Sequence, residues 1–411
     1  MAIHTRAAIT GAGALLLSAL LGGCSLIPWF GSEEDPTPPS ELPELDQSLT
    51  PTTLWSARVT DGTDGRRLYL VPTLAAGRLY VADARGTLAA VAADSGRVLW
   101  RQETELAFSG GPEVHGERLV LGTTGGELAL FSTADGTELW RTRLGSEVLS
   151  VPRFADAETI VVHTLDDSLY GIEAATGEQR WHLTYPAPVL TLRGSSTPAV
   201  APDGVIVGLS GGKLIKFDVA DGTPLWEVTI TRPSGRSELS RIADIDADPV
   251  LVGTTVFVGT YNGDLAAVDA VTGTVLWRRE LSAHAGLAAT PEALFVTDSR
   301  DQVWGADPLS GAGRWVQEAL RYRRLTAPAL LGQVVAVGDL EGYVHLLDAA
   351  DGQLLGRTRV TKKAPITAPP LAADGRLYVY ADDGTLSALS VGAIPARTAQ
   401  RAPEQADNAS P

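Results

Sequence analysis

GTLAAVAADSGRVLW, residues 86–100, decides how this chain folds. A glycine turn opens it, a short strand-forming run follows, then a Ser-Gly turn, and Trp100 closes it. The same order returns as GGELALFSTADGTELW at 125–140, DDSLYGIEAATGEQRW at 166–181, GGKLIKFDVADGTPLW at 211–226, NGDLAAVDAVTGTVLW at 262–277 and DQVWGADPLSGAGRW at 301–315. Two copies are degenerate: EGYVHLLDAADGQLLG at 341–356 puts Gly356 in the tryptophan position, and DGTLSALSVG at 383–392 stops before reaching one. The missing tryptophan stands at the other end, as Trp55 in TTLWSARV. Positions 55, 100, 140, 181, 226, 277, 315 and 356 lie 38 to 51 residues apart, which makes eight units.

Alternating runs broken by short Gly-containing turns predict consecutive antiparallel strands in each unit. One four-stranded sheet of this length cannot bury both faces, whereas sheets stacked radially bury them against one another. The fold class is therefore all-β: an eight-bladed β-propeller, four antiparallel strands per blade, over residues 51–392. The last unit lacks an outer strand and the segment around Trp55 has no blade before it, so pairing the two ends closes the ring and removes a sheet edge. The Asp-x-x-Thr-Gly-x-x-x-Trp spacing resembles the pyrroloquinoline-quinone-type propeller repeat. Tryptophans recurring with the blade period are expected to fill the space between blades, and glycine to supply a positive φ in the turn.

Composition removes several functions. With 33 basic and 49 acidic residues, a net charge of −16, the chain repels a nucleic-acid backbone. One cysteine excludes an intrachain disulfide, a CxxC pair, a multi-thiolate zinc site and an iron–sulfur cluster. Six scattered histidines make no metal or triad motif, and no catalytic residue or cofactor is expected. Asp244, Asp246 and Asp248 invite a calcium reading, but Pro249 and Thr255 stand where an EF-hand loop needs glycine and glutamate, leaving only a cation site of another kind open.

Residues 1–23 carry Arg6 and an apolar run over 7–21, the pattern of a signal peptide. As a helix that run rises about 22 Å, too short for a hydrocarbon core of about 30 Å. It ends in Leu21-Gly22-Gly23-Cys24, which resembles the lipobox of bacterial lipoproteins and implies a lipidated Cys24; Ser25 after it implies export to the outer membrane. Residues 24–50, rich in proline and acids, are expected to be a disordered tether with a reach of up to about 80 Å. Residues 393–411 are expected to be a disordered tail.

The two longest connections between blades flank Trp226. YPAPVLTLRGSS brings Leu190, Leu192 and Arg193, and TRPSGRSELSRIADIDADP brings Arg241, Asp244 and Asp246, both onto the same rim. Apolar residues beside fixed charges of both signs suit a protein-binding patch. The alternative is that the leucines fold back onto the blade and Arg193 pairs locally with an aspartate.

Lipobox, proline-rich tether, TPTTLWSARV, the tryptophan repeat, LTLRGSS and SELSRIADIDADPV together resemble the BamB family, outer-membrane lipoproteins of the β-barrel assembly machinery. The resemblance covers residues 50–390 and departs from the family at Gly356, in the longer acidic tether and in the added tail. It implies a non-enzymatic scaffold, one copy within a hetero-complex, lipid-anchored and facing the periplasm, that assists folding and insertion of β-barrel proteins. It further implies that Leu190, Leu192, Arg193, Asp244 and Asp246 dock on the POTRA domains of BamA, with Arg241 as local support and Asp248 outside the site. Other lipoproteins of the machinery would be indirect partners, and unfolded outer-membrane strands would meet the blade edges by β-augmentation. The rival expectations are a periplasmic quinoprotein dehydrogenase and a general envelope-binding propeller.

Overall fold

Eight sheets arranged as blades account for nearly all regular structure in the computed structural model, which describes residues 37–234, 236–283 and 285–394. Residues 39–411 cluster as one unit and 1–38 as another; the signal peptide, Cys24, the tether over 25–36 and the tail from 395 lie outside the described residues. Blade 1 begins with Thr73–Ala75 and ends with Val98–Glu103. Blade 8 takes Leu371–Ala373, Arg376–Tyr380 and Thr385–Ser390 from the carboxyl end and Thr52–Arg58 from the amino end. Trp55 pairs with Ala388 in that closure, as the ring argument requires. Apart from a 3-10 turn at Leu239–Arg241, the described residues contain no helix.

The middle strands depart from simple alternation. Thr87–Ala92 and Glu127–Ser132 are buried along nearly their whole length, because each middle strand is covered on both faces by neighbouring blades. Alternation survives in the outer strands, where Glu138–Arg143 turns one face inward and the other to solvent. All eight outer strands share a register shift next to the tryptophan position, as between Thr53 and Trp55 or Glu138 and Trp140. A bulge there increases twist and swings the indole toward the next blade.

Seven tryptophans close seven seams in one way. The indole N–H of Trp55, Trp100, Trp140, Trp181, Trp226, Trp277 and Trp315 donates to a turn carbonyl of the following blade at 2.8–3.2 Å. The ring lies on that turn's glycine so closely that a Cβ at Gly96, Gly136, Gly177, Gly222, Gly273, Gly311 or Gly352 would come within 2.3–2.9 Å of it. These glycines have φ between 67° and 78°. Both the backbone conformation and the aromatic lid therefore demand glycine, which is why the Gly and the Trp recur together.

Two segments break the repeat. Tyr69–Leu70, between the closing strand and blade 1, pairs in parallel with Gly110 and Gly111 on the innermost strand of blade 2, a fifth strand on the inner side of the ring. Residues 40–49, which composition places in the disordered tether, instead lie along the outer edge of blade 7, where Leu49 is buried. Their order comes from donors and an apolar pocket on the blade, which composition alone does not reveal.

Candidate functional site

Every link from an outer strand to the next inner strand leaves the ring on one face, so the links 185–198 and 230–249 share a rim with 59–72 and 144–152. The first long link passes over the blade 4 hairpin, with Pro188 beside Gly211. The second passes over the blade 5 hairpin, where the Tyr261 N–H donates to the Asp244 carbonyl at 2.9 Å.

Asp244 joins the two links. One carboxylate oxygen accepts the Leu192 N–H at 2.7 Å and the other accepts the Gly211 N–H at 2.9 Å. It is only 1% exposed. This corrects the expectation that Asp244 itself faces a partner: two amides of the neighbouring loop and hairpin occupy it, so it positions the loop. Burial raises its pKa while the two amides oppose that rise. Asp246 sits against the loop backbone, and a Cβ on Gly194 would stand 2.5 Å from its carboxyl carbon. Burial, followed by the nearby Asp244 charge, pushes its pKa up to about 7, with Arg67 and His163 pulling the other way. The Gly after Arg193 is thus a close-approach residue.

Arg193 is held from outside the two links. Its guanidinium donates to Glu147 at 2.6 Å, from the link before blade 3, and to the Arg67 carbonyl at 2.5 Å, from the segment inside the ring. Its side chain remains well exposed. Neither a free charge nor an aspartate pair describes it. Leu190 is 41% exposed and Val189 fully so, whereas Leu192 is half-buried. Arg241 lies on the 3-10 turn with Nη1 3.2 Å from Glu238, and Leu239 beside it projects into solvent. Leu190, Arg193 and the Asp244–Asp246 pair are therefore brought together, with Val189 adding exposed apolar surface next to Leu190.

Asp248, left out of the sequence-derived site, belongs to its foundation. It accepts the Thr197 N–H at 2.6 Å with one oxygen and the Tyr69 hydroxyl at 2.6 Å with the other. Tyr69 comes from the fifth strand beside blade 2, so this bond spans the ring interior to the approach to blade 5. Burial raises the pKa of both partners. Asp244, Asp246 and Asp248 thus turn to different tasks, and among the described residues no three His, Cys, Asp or Glu side chains converge as a metal site would need. Tyr69, Glu147, Arg67 and Asp248 carry no motif of their own. Only the run of alternate aspartates hinted that the last mattered.

Residues 45–114, 84–317 and 320–402 match the family described as outer membrane protein assembly factor BamB. The chain belongs to that family. An outer membrane protein assembly factor BamB from Pseudomonas aeruginosa is 37% identical over 380 residues, covering 92% of this chain and 98% of its own. The crystal structure of BamB from Moraxella catarrhalis superposes with a TM-score of 0.75 at 26% identity, covering 83% of this chain and all of that one. A quinohemoprotein alcohol dehydrogenase from Comamonas testosteroni also superposes, with a TM-score of 0.66 over 87% of this chain and 80% of its own. At 12% identity that likeness shows the propeller fold alone. Membership of the BamB family separates this chain from the dehydrogenases that share its architecture.

Proposed function

We propose that this chain is a non-enzymatic scaffold subunit of the outer-membrane β-barrel assembly complex, docking on the POTRA domains of BamA and thereby assisting folding and insertion of β-barrel proteins. The observation that carries this is the cross-linking of two adjacent rim loops through Asp244, which presents Val189, Leu190 and Arg193 on a fixed backbone. Pre-organisation lowers the ordering cost of association, the exposed aliphatic groups supply apolar area, and Arg193 supplies register. Asp244 contributes by holding the loop rather than by touching the partner. Lipidation at Cys24 would hold the subunit on the periplasmic side of the outer membrane, each buried methylene contributing about 0.8 kcal/mol.

The test is crosslinking in intact envelopes followed by capture of the subunit. Leu190→Asp with Arg193→Glu should reduce BamA recovery at least tenfold while the far-ultraviolet circular dichroism stays that of the wild type. Full recovery of BamA with that folded double variant would remove the docking surface. A Cys24→Ala control should leave the washed membrane fraction; its retention there would count against lipid anchoring.

A further inference from the structure

Seven seams have a tryptophan and the eighth does not, yet the eighth is closed. In the outer strand Leu354–Arg359 the tryptophan position is Gly356, and a Cβ there would meet the Leu49 carbonyl oxygen at 1.8 Å. The Leu49 N–H donates to the Leu355 carbonyl at 3.0 Å. Its side chain, 5% exposed, packs with Leu346, Leu355, Ile366 and Leu389 at the seam of blades 7 and 8, beside Gly392. Glycine at 356 is therefore a requirement for a second chain segment to approach.

The contact continues upstream. The Arg357 N–H donates to the Gln47 side-chain oxygen at 3.3 Å, and the Arg357 guanidinium to the Pro43 carbonyl at 3.0 Å. Leu42 packs on the core between blades 6 and 7. At the rim the Ser40 N–H donates to the Arg321 carbonyl at 3.0 Å, its hydroxyl to the Ala319 carbonyl at 2.8 Å, and Arg323 donates to the Ser40 carbonyl at 2.9 Å. Arg323 is itself buried and held by Asp339, which also bonds His345. The residues flanking it, Tyr322 and Arg324, have φ of 58° and 50°, a strained conformation for side chains of that size. Leu355 shows the effect on the blade: it is 4% exposed, while Leu139, Leu225 and Leu276 at the matching positions are 48–54% exposed.

We propose that the outer edge of blade 7 is a peptide-binding site whose ligand is the chain's own residues 40–49, an extended segment anchored by Leu49 in the place of the eighth tryptophan. Bound there, the segment leaves the propeller at the 318–328 link, on the face that carries the two long links. Only residues 25–39 then remain to reach the lipid, which shortens the span from about 80 Å to about 46 Å even at full extension. The peptide site stands independently of the BamA reading; only the meaning of the shared rim rests on it.

Hydrogen exchange on the full chain tests the site without any variant. The amides of Leu49 and Arg357 should exchange at least a hundredfold slower than in an unstructured peptide, and free-peptide rates at Leu49 would overturn the proposal. In full-length Leu49→Asp, Arg357 should exchange at least tenfold faster. A synthetic peptide of residues 39–50 added in trans should restore its protection, and the same peptide carrying Asp at position 49 should not. Failure of the wild-type peptide to restore protection in a folded variant would also overturn it. Spin labels at positions 41 and 300 of a Cys24→Ala chain should give one narrow distance, and a broad distribution would remove the fixed departure point. Loss or retention of BamA binding alters none of these readouts, so the two readings fail separately.

Discussion

The tryptophan seams and the two long rim links solve opposite problems with opposite residues. At a seam the aromatic ring is turned inward, its one donor is satisfied, and glycine in the next blade removes the only side chain that would interfere. In the links Val189, Leu190 and Leu239 are turned outward while Ile242 and Ile245 are buried as anchors, and enclosed carboxylates hold the backbone by accepting its amides. Seams spend side chains on the protein itself; the links spend buried charge to leave side chains free for something else. Recurrence therefore marks the scaffold, and departure from it marks what the scaffold carries.

The largest effect expected is on the seam beneath the links. Trp226→Ala removes the indole lid on Gly273 and its bond to Ala270, and should cost about 3 kcal/mol in urea-induced unfolding. BamA binding per folded molecule should be unchanged; a loss of binding in the folded fraction would show that seam and links are not separable. Asp244→Ala should cost less, about 2 kcal/mol, because two amides lose their acceptor. It should nonetheless weaken BamA recovery severalfold despite lying out of a partner's reach, whereas binding equal to wild type would break the claim that it works through loop position.

The third effect is set by pH and concerns Asp246. Its pKa is raised to about 7 in the folded state, so the folded protein binds a proton that the unfolded chain releases near pH 4. Its contribution is favourable at low pH and is lost as pH rises from about 4 to about 7. Asp246→Asn should thus match the wild type at pH 4 and exceed its stability by about 1 kcal/mol or more at pH 8. Parallel pH profiles for the two proteins would mean that this carboxyl is not enclosed as described.

The blade number and the closure through Trp55 were legible because they rest on periodicity, and the interruption of that periodicity is what singled out the two long links with Leu190, Arg193 and Asp246 as candidates. The roles of Asp244 and Asp248 were not, since an aspartate accepting backbone amides looks the same in sequence as one facing solvent. Tyr69 and Arg67, from one segment, and Glu147, from another, meet Asp248 and Arg193 only through ring geometry. The bound segment over 40–49 was hidden for a related reason. Its prolines and acids predict disorder, and what orders it is Arg323 in the link before blade 7 and the space left by glycine at 356 on blade 7; the one trace of it was Gly356 standing where tryptophan was due.

Closure of blade 8 has a consequence for biogenesis. Ser56 and Ser387 share a hydrogen bond across 331 residues of chain, so the first strand to be synthesised must wait for nearly the last. Until then both ends present unpaired backbone, open to pairing with strands of other chains. The loop-closure entropy grows only with the logarithm of that length. The hazard is kinetic exposure, and a truncation that removed Thr385–Ser390 would make it permanent.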